Sequence, residues 1–328
     1  MTTVNLFYSA RDLDRWLRRD RVVGRVRRFF GRGHWPSGQT RVFLNLTAGL
    51  NALGVPFRVN DADHARHHSD ALCCLIGRRR IMAEDRWANP LLIGPCVYDH
   101  PFDNPQLLEQ WPVRRLLVPS EWMRRMCAPH WGDRVHAWPV GIDTAEWTPA
   151  RSNAIRDIDV LVYDKIMWNR SVMVPQLLAP ILSELDRRGL RRVVLRYGRY
   201  RPNEYQDLLS RSRCLVFLCE HETQGLAYQE AMSAGVPVLA WHTNSFWLDP
   251  AYYPHRVVFS PVTSVPYWDD RCGVRFGDAA GFSSALDELI AKQATGSLDP
   301  RGYALEFLTL EKCAAAFVEH VNAAEAGC

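Results

Sequence analysis

The sequence predicts an α/β protein of two domains, each built around a sheet of parallel strands. Short apolar runs alternate with amphipathic helical patterns along the whole chain, which is typical of parallel sheets. The chain has 328 residues, which is enough for two domains that each bury a core of their own. Hydrophobic residues make up 47% and charged residues 23%, as expected for a globular protein.

The first half of the chain is predicted to hold six strands and at least two helices. A helix over Arg41–Leu53 has Val42, Leu46 and Leu50 on one face. Ser120 is a candidate N-cap for a second helix over Glu121–Cys127. The strands are expected at Val4–Tyr8, Val55–Val59, Ala71–Ile76, Leu91–Pro95, Arg115–Val118 and Val135–Trp138.

The polar stretch Thr144–Ile155 has no clear period, so we expect the first domain to end near residue 150. The pattern then begins again with a helix over Val172–Arg188 and an amphipathic last helix over Leu310–Ala324. Ligands of such sheets bind outside the carboxyl ends of the strands. The strands of this half are expected at Asp159–Tyr163, Arg192–Tyr197, Cys214–Cys219, Val238–Trp241 and Arg256–Phe259.

The segment Cys214–Trp241 carries the most chemical information. Its strand leads into an acidic loop with Glu222, and Gly225 then opens a helix that carries Glu230 about 7 Å further along its axis. Gly225 would let a phosphate approach the unpaired amides of the helix N-terminus. Each carboxylate could accept hydrogen bonds from neighbouring hydroxyls of a sugar or a ribose. Position alone also fits a plain strand–loop–helix with surface acids.

The order of these residues resembles the donor-site signature of the group 1 (family 4) retaining glycosyltransferases. Glu222 is followed after seven residues by Glu230, and then by Gly235-Val236-Pro237-Val238. Elsewhere, Ser37-Gly38-Gln39-Thr40-Arg41 resembles the family's glycine loop, with Ser37 in place of one of its usual glycines. Pro139–Asp143 resembles the hallmark between the family's domains, and Leu308–Glu311 resembles the start of its C-terminal helix.

This resemblance implies the GT-B fold, with two facing Rossmann-like domains. Residues 1–150 would form the acceptor-binding domain and residues 151–307 the domain that binds a nucleotide sugar. Residues 308–328 would form a C-terminal helix that packs back on the N-terminal domain. The implied reaction is hexosyl transfer from a UDP- or GDP-sugar with retention of anomeric configuration, without a cofactor or a metal.

The implied site residues fall into two groups. A cation must stabilise the leaving diphosphate, but the family's Gly-Arg and Lys are not plainly present in Val162–Arg170, so Lys165 and Arg170 are the candidates. A salt bridge is the alternative for each of them. His100 matches a family histidine that touches the donor sugar, although an Asp-His-Pro turn is equally ordinary. The catalytic residues would be Glu222, His100, Lys165 and Arg170, and the donor-binding residues would be Glu230, Gly225, Leu226, Gln224, Thr223, Gly38 and Ser37.

Two further features are candidates for binding a metal or an anionic partner. Asp61-Ala62-Asp63 has the form of a metal-binding D-x-D, but a solvated loop is the favoured interpretation and we expect no metal. Residues 13–30 read as a basic amphipathic helix, and segment 11–32 holds nine Arg against three Asp. This helix could lie on an anionic membrane surface, bind an anionic acceptor such as nucleic acid, or simply pack with an arginine-biased solvent face.

The sequence has neither an apolar run of 18 residues nor a basic region ahead of an apolar stretch at its start. Its nine cysteines are scattered and form no C-x-x-C. We therefore expect reduced thiols and a cytoplasmic location, with the basic helix as a candidate attachment to the inner membrane face. The acceptor stays open between lipid-linked, glycan, small-molecule and modified nucleic-acid classes. A nucleotide-sugar epimerase or hydrolase and a non-catalytic sugar-nucleotide-binding module are the alternatives.

Overall fold

The computed structural model describes residues 3–9, 37–150 and 155–327. The chain divides into two compact units. The first unit runs to Gly141 and resumes at Leu310, and the second unit runs from Ile142 to Thr309. The predicted basic helix over residues 13–30 lies outside the described residues. Within the described ranges, no helix is long and apolar enough to cross a membrane.

The first unit contains a sheet of six parallel strands in the order β2-β1-β3-β4-β5-β6. All six strands predicted for this half are confirmed, with small shifts at their ends. Apart from the partly exposed edge strand at Phe57–Val59, their apolar runs are largely buried because both faces of a parallel sheet are covered. The strands are β1 (Val4–Ser9), β2 (Phe57–Val59), β3 (Cys73–Gly77), β4 (Leu91–Ile93), β5 (Val113–Val118) and β6 (Val135–Ala137).

Among the described residues of this unit, four α-helices lie between these strands: α1 (Gly38–Ala52), α2 (Ala62–His67), α3 (Leu107–Gln110) and α4 (Glu121–Trp131). Ser37 caps α1, because its Oγ accepts from the amide of Thr40 at 3.3 Å. Asp61, which was expected in a solvated loop, is instead the N-cap residue of α2. Its carboxylate accepts a hydrogen bond from the amide of His64 at 3.0 Å. Ser120 occupies the N-cap position of α4, as predicted, without a side-chain capping bond.

The second unit contains five parallel strands in the order β11-β10-β9-β7-β8. The strand predicted at Arg256–Phe259 is wrong, because that segment is irregular and Val258 is 64% exposed. The fifth strand is instead Gly273–Phe276, which pairs with the strand at Val238–Trp241. The strands are β7 (Ile158–Asp164), β8 (Arg192–Arg196), β9 (Ser212–Leu218), β10 (Val238–Trp241) and β11 (Gly273–Phe276).

The helix predicted over Val172–Arg188 is divided into α5 (Arg170–Met173), a π-helical turn (Val174–Leu178) and α6 (Ala179–Arg187). Pro175 lies in the π turn and cannot donate a backbone hydrogen bond, which disturbs the regular ladder there. Between β11 and the predicted C-terminal helix, the structure has two helices that the sequence did not predict. The remaining helices of this unit are α7 (Pro202–Arg211), α8 (Leu226–Ser233), α9 (Ala279–Thr295) and α10 (Pro300–Phe307).

The C-terminal helix α11 (Leu310–Glu325) belongs to the first unit. It packs directly on α1, where a Cβ at Gly49 would overlap the carbonyl of Leu310 and the Cβ of Ala314. Trp138 donates from Nε1 to the carbonyl of Cys313 at 2.8 Å. Gly49 thus permits a close approach of the two helices, and Trp138 ties α11 to the chain beyond β6.

Candidate functional site

In the second unit, the sheet brings two loops together at the carboxyl ends of β7 and β9. These strands are neighbours, and Asp164 at the end of β7 is in register with Leu218 at the end of β9. The amide of Lys165 donates to the carbonyl of Leu218 at 2.9 Å. The lysine loop (Lys165–Asn169) and the acidic loop (Cys219–Gly225) therefore start side by side, although they are far apart in sequence.

Lys165 and Glu222, two residues singled out from the sequence, form an ion pair between these loops. Their side chains are 19% and 9% exposed. The ammonium of Lys165 also lies 4.7 Å from the centroid of the Tyr197 ring. Burial disfavours the charged lysine, but Glu222 together with the neighbouring Cys219 and Tyr197 holds the pKa of Lys165 above its ordinary value. The site thus contains a fixed, largely buried pair of opposite charges.

Arg170, the second predicted cation, is paired with an acidic residue in the structure. Its guanidinium forms a bidentate pair with the buried carboxylate of Asp164 at 2.7 and 2.8 Å, and it also donates to the carbonyl of Ile166. The hydrogen bonds to Asp164 raise the pKa of Arg170. This is the salt bridge that the sequence left open as the alternative for Arg170. In this structure Arg170 links Asp164 to the backbone of Ile166 and so holds the base of the lysine loop.

Glu220, which the sequence analysis did not single out, holds the same loop from the other side. Its carboxylate accepts hydrogen bonds of 3.0 Å from the amides of Met167 and Trp168. Burial raises the pKa of Glu220, and the two backbone donors oppose that shift. Two carboxylates thus hold the lysine loop, Asp164 at its base through Arg170 and Glu220 at its tip. These contacts also hold Lys165, which belongs to the same loop, in its position.

Gly225 is the N-cap residue of helix α8, and its φ of +81° lies in the left-handed region. A Cβ at this position would overlap the ring of Tyr228 one turn along the helix. Both the backbone and the packing therefore require glycine here. The amides of the first helical turn have no partner inside the helix, as at any helix N-terminus.

The other predicted donor-binding residues of this unit surround the start of α8. Gln224 is buried and its amide group bonds that of Gln229 at 3.1 Å, while Thr223 and Leu226 are partly exposed. Glu230 lies on the second turn of α8 and is 1% exposed. The contacts of these residues with a ligand stay predictions.

Two more titratable groups line the acidic loop. His221 accepts from the amide of Leu248 at 3.0 Å, and burial together with the nearby Lys165 lowers its pKa to about 4. Burial raises the pKa of the Cys219 thiol, which lies 3.6 Å from a carboxylate oxygen of Glu222. At neutral pH both groups are therefore uncharged, and Cys219 is a thiol rather than a nucleophilic thiolate.

Three predicted site residues belong to the first unit. Ser37 and Gly38 begin α1, and a Cβ at Gly38 would meet no atom within 4 Å, so packing does not require this glycine. His100 is buried and accepts from the amide of Phe102 at 3.1 Å, at the start of a short turn over Pro101–Asp103. Burial and the neighbouring His130 lower the pKa of His100 to about 4. His100 therefore stabilises a turn, and its expected contact with a sugar stays a prediction.

Solved structures with a similar course of the chain identify the architecture. A glycosyltransferase involved in avilamycin A biosynthesis aligns over 99% of this chain and 98% of its own, with a TM-score of 0.60 and 15% identity. Sucrose-phosphate synthase from Thermosynechococcus elongatus aligns over 97% and 98%, with a TM-score of 0.59 and 13% identity. The fold is GT-B.

A third similar GT-B structure is that of a mutant of TarM from S. aureus in complex with fondaparinux, alpha-GlcNAc-glycerol and UDP. It aligns over 76% of this chain and 55% of its own, with a TM-score of 0.51 and 12% identity. No family model matches the sequence. No curated protein matches it either. At identities of 12–15% this likeness shows the fold alone.

Proposed function

We propose that this chain is a glycosyltransferase that moves a sugar from a nucleoside diphosphate sugar to an acceptor with retention of anomeric configuration. The observation that carries the proposal is the Lys165–Glu222 pair at the carboxyl edge of a parallel sheet, directly before the N-terminus of α8. One site thus offers a cation and helix amides for phosphate, and carboxylates for hydroxyls. The GT-B fold is compatible with this chemistry.

Each residue has a distinct role in this proposal. The amides at the start of α8 bind the diphosphate, and Lys165 neutralises the charge that develops on it as it leaves. Glu222 accepts hydrogen bonds from the hydroxyls of the transferred sugar, and Glu230 accepts them from the ribose. Because Lys165 is paired with Glu222 in the structure, the diphosphate must compete for the ammonium. Binding of the donor would then release Glu222 toward the sugar.

The proposed reaction breaks the bond between the anomeric carbon and the diphosphate oxygen, and the electron pair leaves with the nucleoside diphosphate. The acceptor hydroxyl forms the new bond on the same face of the sugar and passes its proton to the leaving phosphate. The Cys219 thiol, the nucleophile candidate nearest to Glu222 in the acidic loop, is held protonated by burial. Attack by the acceptor itself therefore fits the site better than a covalent intermediate at this position.

Incubation with a panel of UDP-, GDP-, ADP- and TDP-sugars, with and without acceptors of each class, tests the proposal. A glycosyltransferase releases nucleoside diphosphate faster when its acceptor is present and forms a glycosylated product with retained configuration. Release at the same rate without any acceptor would indicate a hydrolase, and epimerised donor would indicate an epimerase. Tight nucleotide binding without turnover across the panel would leave a binding module and contradict the proposed activity.

A further inference from the structure

A six-residue segment beside Lys165 in the second unit contains three arginines and no acidic residue. The arginine loop (Arg196–Arg201, sequence RYGRYR) starts at the carboxyl end of β8, the strand next to β7. The amide of Tyr197 donates to the carbonyl of Asp164 at 2.9 Å, one residue before Lys165. The amide of Arg199 then closes a turn onto the carbonyl of Arg196 at 3.0 Å, with Gly198 at a φ of +73°.

The arginines of this loop lack the counterions that many other arginines of the unit have. Within the described ranges, no carboxylate oxygen lies within 4.0 Å of the guanidinium groups of Arg196, Arg199 or Arg201. Eight other arginines of the unit have such a partner: Arg170, Arg187, Arg188, Arg191, Arg192, Arg211, Arg213 and Arg271. Three like charges on six residues repel one another, so an anion that binds among them would relieve that repulsion.

The two tyrosines of the loop attach it to the site. The Tyr197 ring contacts the Lys165 ammonium, and the hydroxyl of Tyr200 bonds that of Tyr163 on β7 at 2.8 Å. Neighbouring strands lie about 4.8 Å apart, so the ends of β7 and β8 present Lys165 and the arginine loop side by side. The backbone of the arginine loop is therefore held beside Lys165 by its bond to β7 and by the contacts of its two tyrosines, of which Tyr197 is 45% exposed.

The candidates that the sequence offered for the diphosphate are already engaged. Arg170 is bound to Asp164, and Lys165 is bound to Glu222. A nucleoside diphosphate brings at least two negative charges, which one lysine that is shared with a carboxylate does not balance. Guanidinium groups bind phosphate oxygens with paired hydrogen bonds, so the arginine loop has the right chemistry and the right position.

We propose that the arginine loop completes the diphosphate-binding part of the donor site, with Arg196 and Arg199 binding phosphate oxygens beside Lys165 and the amides of α8. This proposal rests on the proposed function, because the anion is the diphosphate of the donor. Tyr197 holds Lys165 toward the same oxygens. Arg170 is then a positioning residue of the lysine loop rather than a ligand of the phosphates.

The double variant Arg196→Gln/Arg199→Gln tests this proposal. Its control is Arg191→Gln/Arg213→Gln, which removes two charges at the amino edge of the same sheet, where both arginines pair with Asp159. Calorimetry measures the Kd of UDP, GDP, ADP and TDP for the wild type. The nucleoside diphosphate that binds most tightly is then titrated into each variant, together with the corresponding nucleoside.

Loss of two charged hydrogen bonds should weaken binding of the nucleoside diphosphate by about a hundredfold in the loop variant. Binding of the nucleoside should change by less than about threefold, and the control variant should bind both probes as the wild type does. A loop variant that binds the diphosphate like the wild type overturns the proposal. So does a loop variant whose defect is confined to the KM of an acceptor. If the wild type binds no nucleoside diphosphate at all, the proposed function itself fails.

Discussion

The ion pair between Lys165 and Glu222 should couple the two loops of the site energetically. A double-mutant cycle with Lys165→Met, Glu222→Gln and the double variant measures this coupling. Both side chains are less than one-fifth exposed, so removal of one partner leaves the other charge poorly solvated. A hydrogen bond to a charged group is worth about 1.5–3 kcal/mol. We expect a coupling in that range in the free energy of unfolding, and Lys165→Met should lose about 0.5–1 kcal/mol more with the Tyr197 contact.

The chain offers a matched control in the same unit. Lys292 and Glu288 pair at 3.1 Å one turn apart on α9, with side chains 28% and 55% exposed. A solvent-exposed pair of this kind should couple by less than about 0.5 kcal/mol. Urea denaturation at pH 7 and low salt gives all the values. Equal coupling for the two pairs would refute the argument that burial makes the Lys165–Glu222 pair strong.

The pH dependence gives an independent check on the same pair. Glu222 holds the pKa of Lys165 above its unfolded value of about 10.4. The stabilisation is therefore complete below about pH 10 and is lost as the pH rises through the pKa of the folded state. Lys165→Met should abolish this alkaline component of the stability curve.

The structure supports two further predictions. Gly225→Ala should lower the free energy of unfolding by about 2–4 kcal/mol, because it adds overlap with Tyr228 to the strain of a positive φ. The control Gly189→Ala, at a φ of +68° with no atom within 4 Å, should lower it by only about 1 kcal/mol. Equal losses for the two variants in urea titrations would contradict the packing argument. Burial keeps the pKa of His221 near 4 in the folded protein, so on acidification the unfolded protein binds a proton at His221 before the folded protein does. This lowers the free energy of unfolding by up to about 3 kcal/mol as the pH falls from 6.5 to 4. His221→Asn should flatten the stability curve in that window, and an unchanged slope would show that His221 is not buried as described.

Much of the fold could be predicted because the apolar runs of a parallel sheet are continuous and short. The run Val257-Val258-Phe259 led to the wrong prediction of a strand, since β-branched and aromatic residues favour strands wherever they occur. This segment forms an irregular loop instead, in which the carbonyl of Phe259 accepts a hydrogen bond from the amide of Trp247. The true edge strand β11 has only four residues, Gly-Val-Arg-Phe, and its glycine and arginine weaken the strand pattern.

The acidic loop and α8 are local features, so the sequence places Glu222, Gly225 and Glu230 on them. The contact of Lys165 with Glu222 is not local, because it depends on β7 and β9 being neighbours in register. The arginine loop was missed for a compositional reason. Because arginine is the dominant basic residue of the whole chain, the three arginines of RYGRYR are not unusual in composition. The position of this loop beside Lys165 follows only from the order of the strands.

The central claim is that the second unit binds a nucleoside diphosphate between Lys165, the start of α8 and Glu230. Calorimetric titration of nucleoside diphosphates into the wild type, Glu230→Gln and Glu222→Gln tests it most directly. We predict binding to the wild type, a loss of about tenfold or more in Glu230→Gln, and binding at least as tight as wild type in Glu222→Gln, because Lys165 is then released for the phosphates. Wild-type affinity in Glu230→Gln, or no binding to any of the three proteins, would contradict the claim.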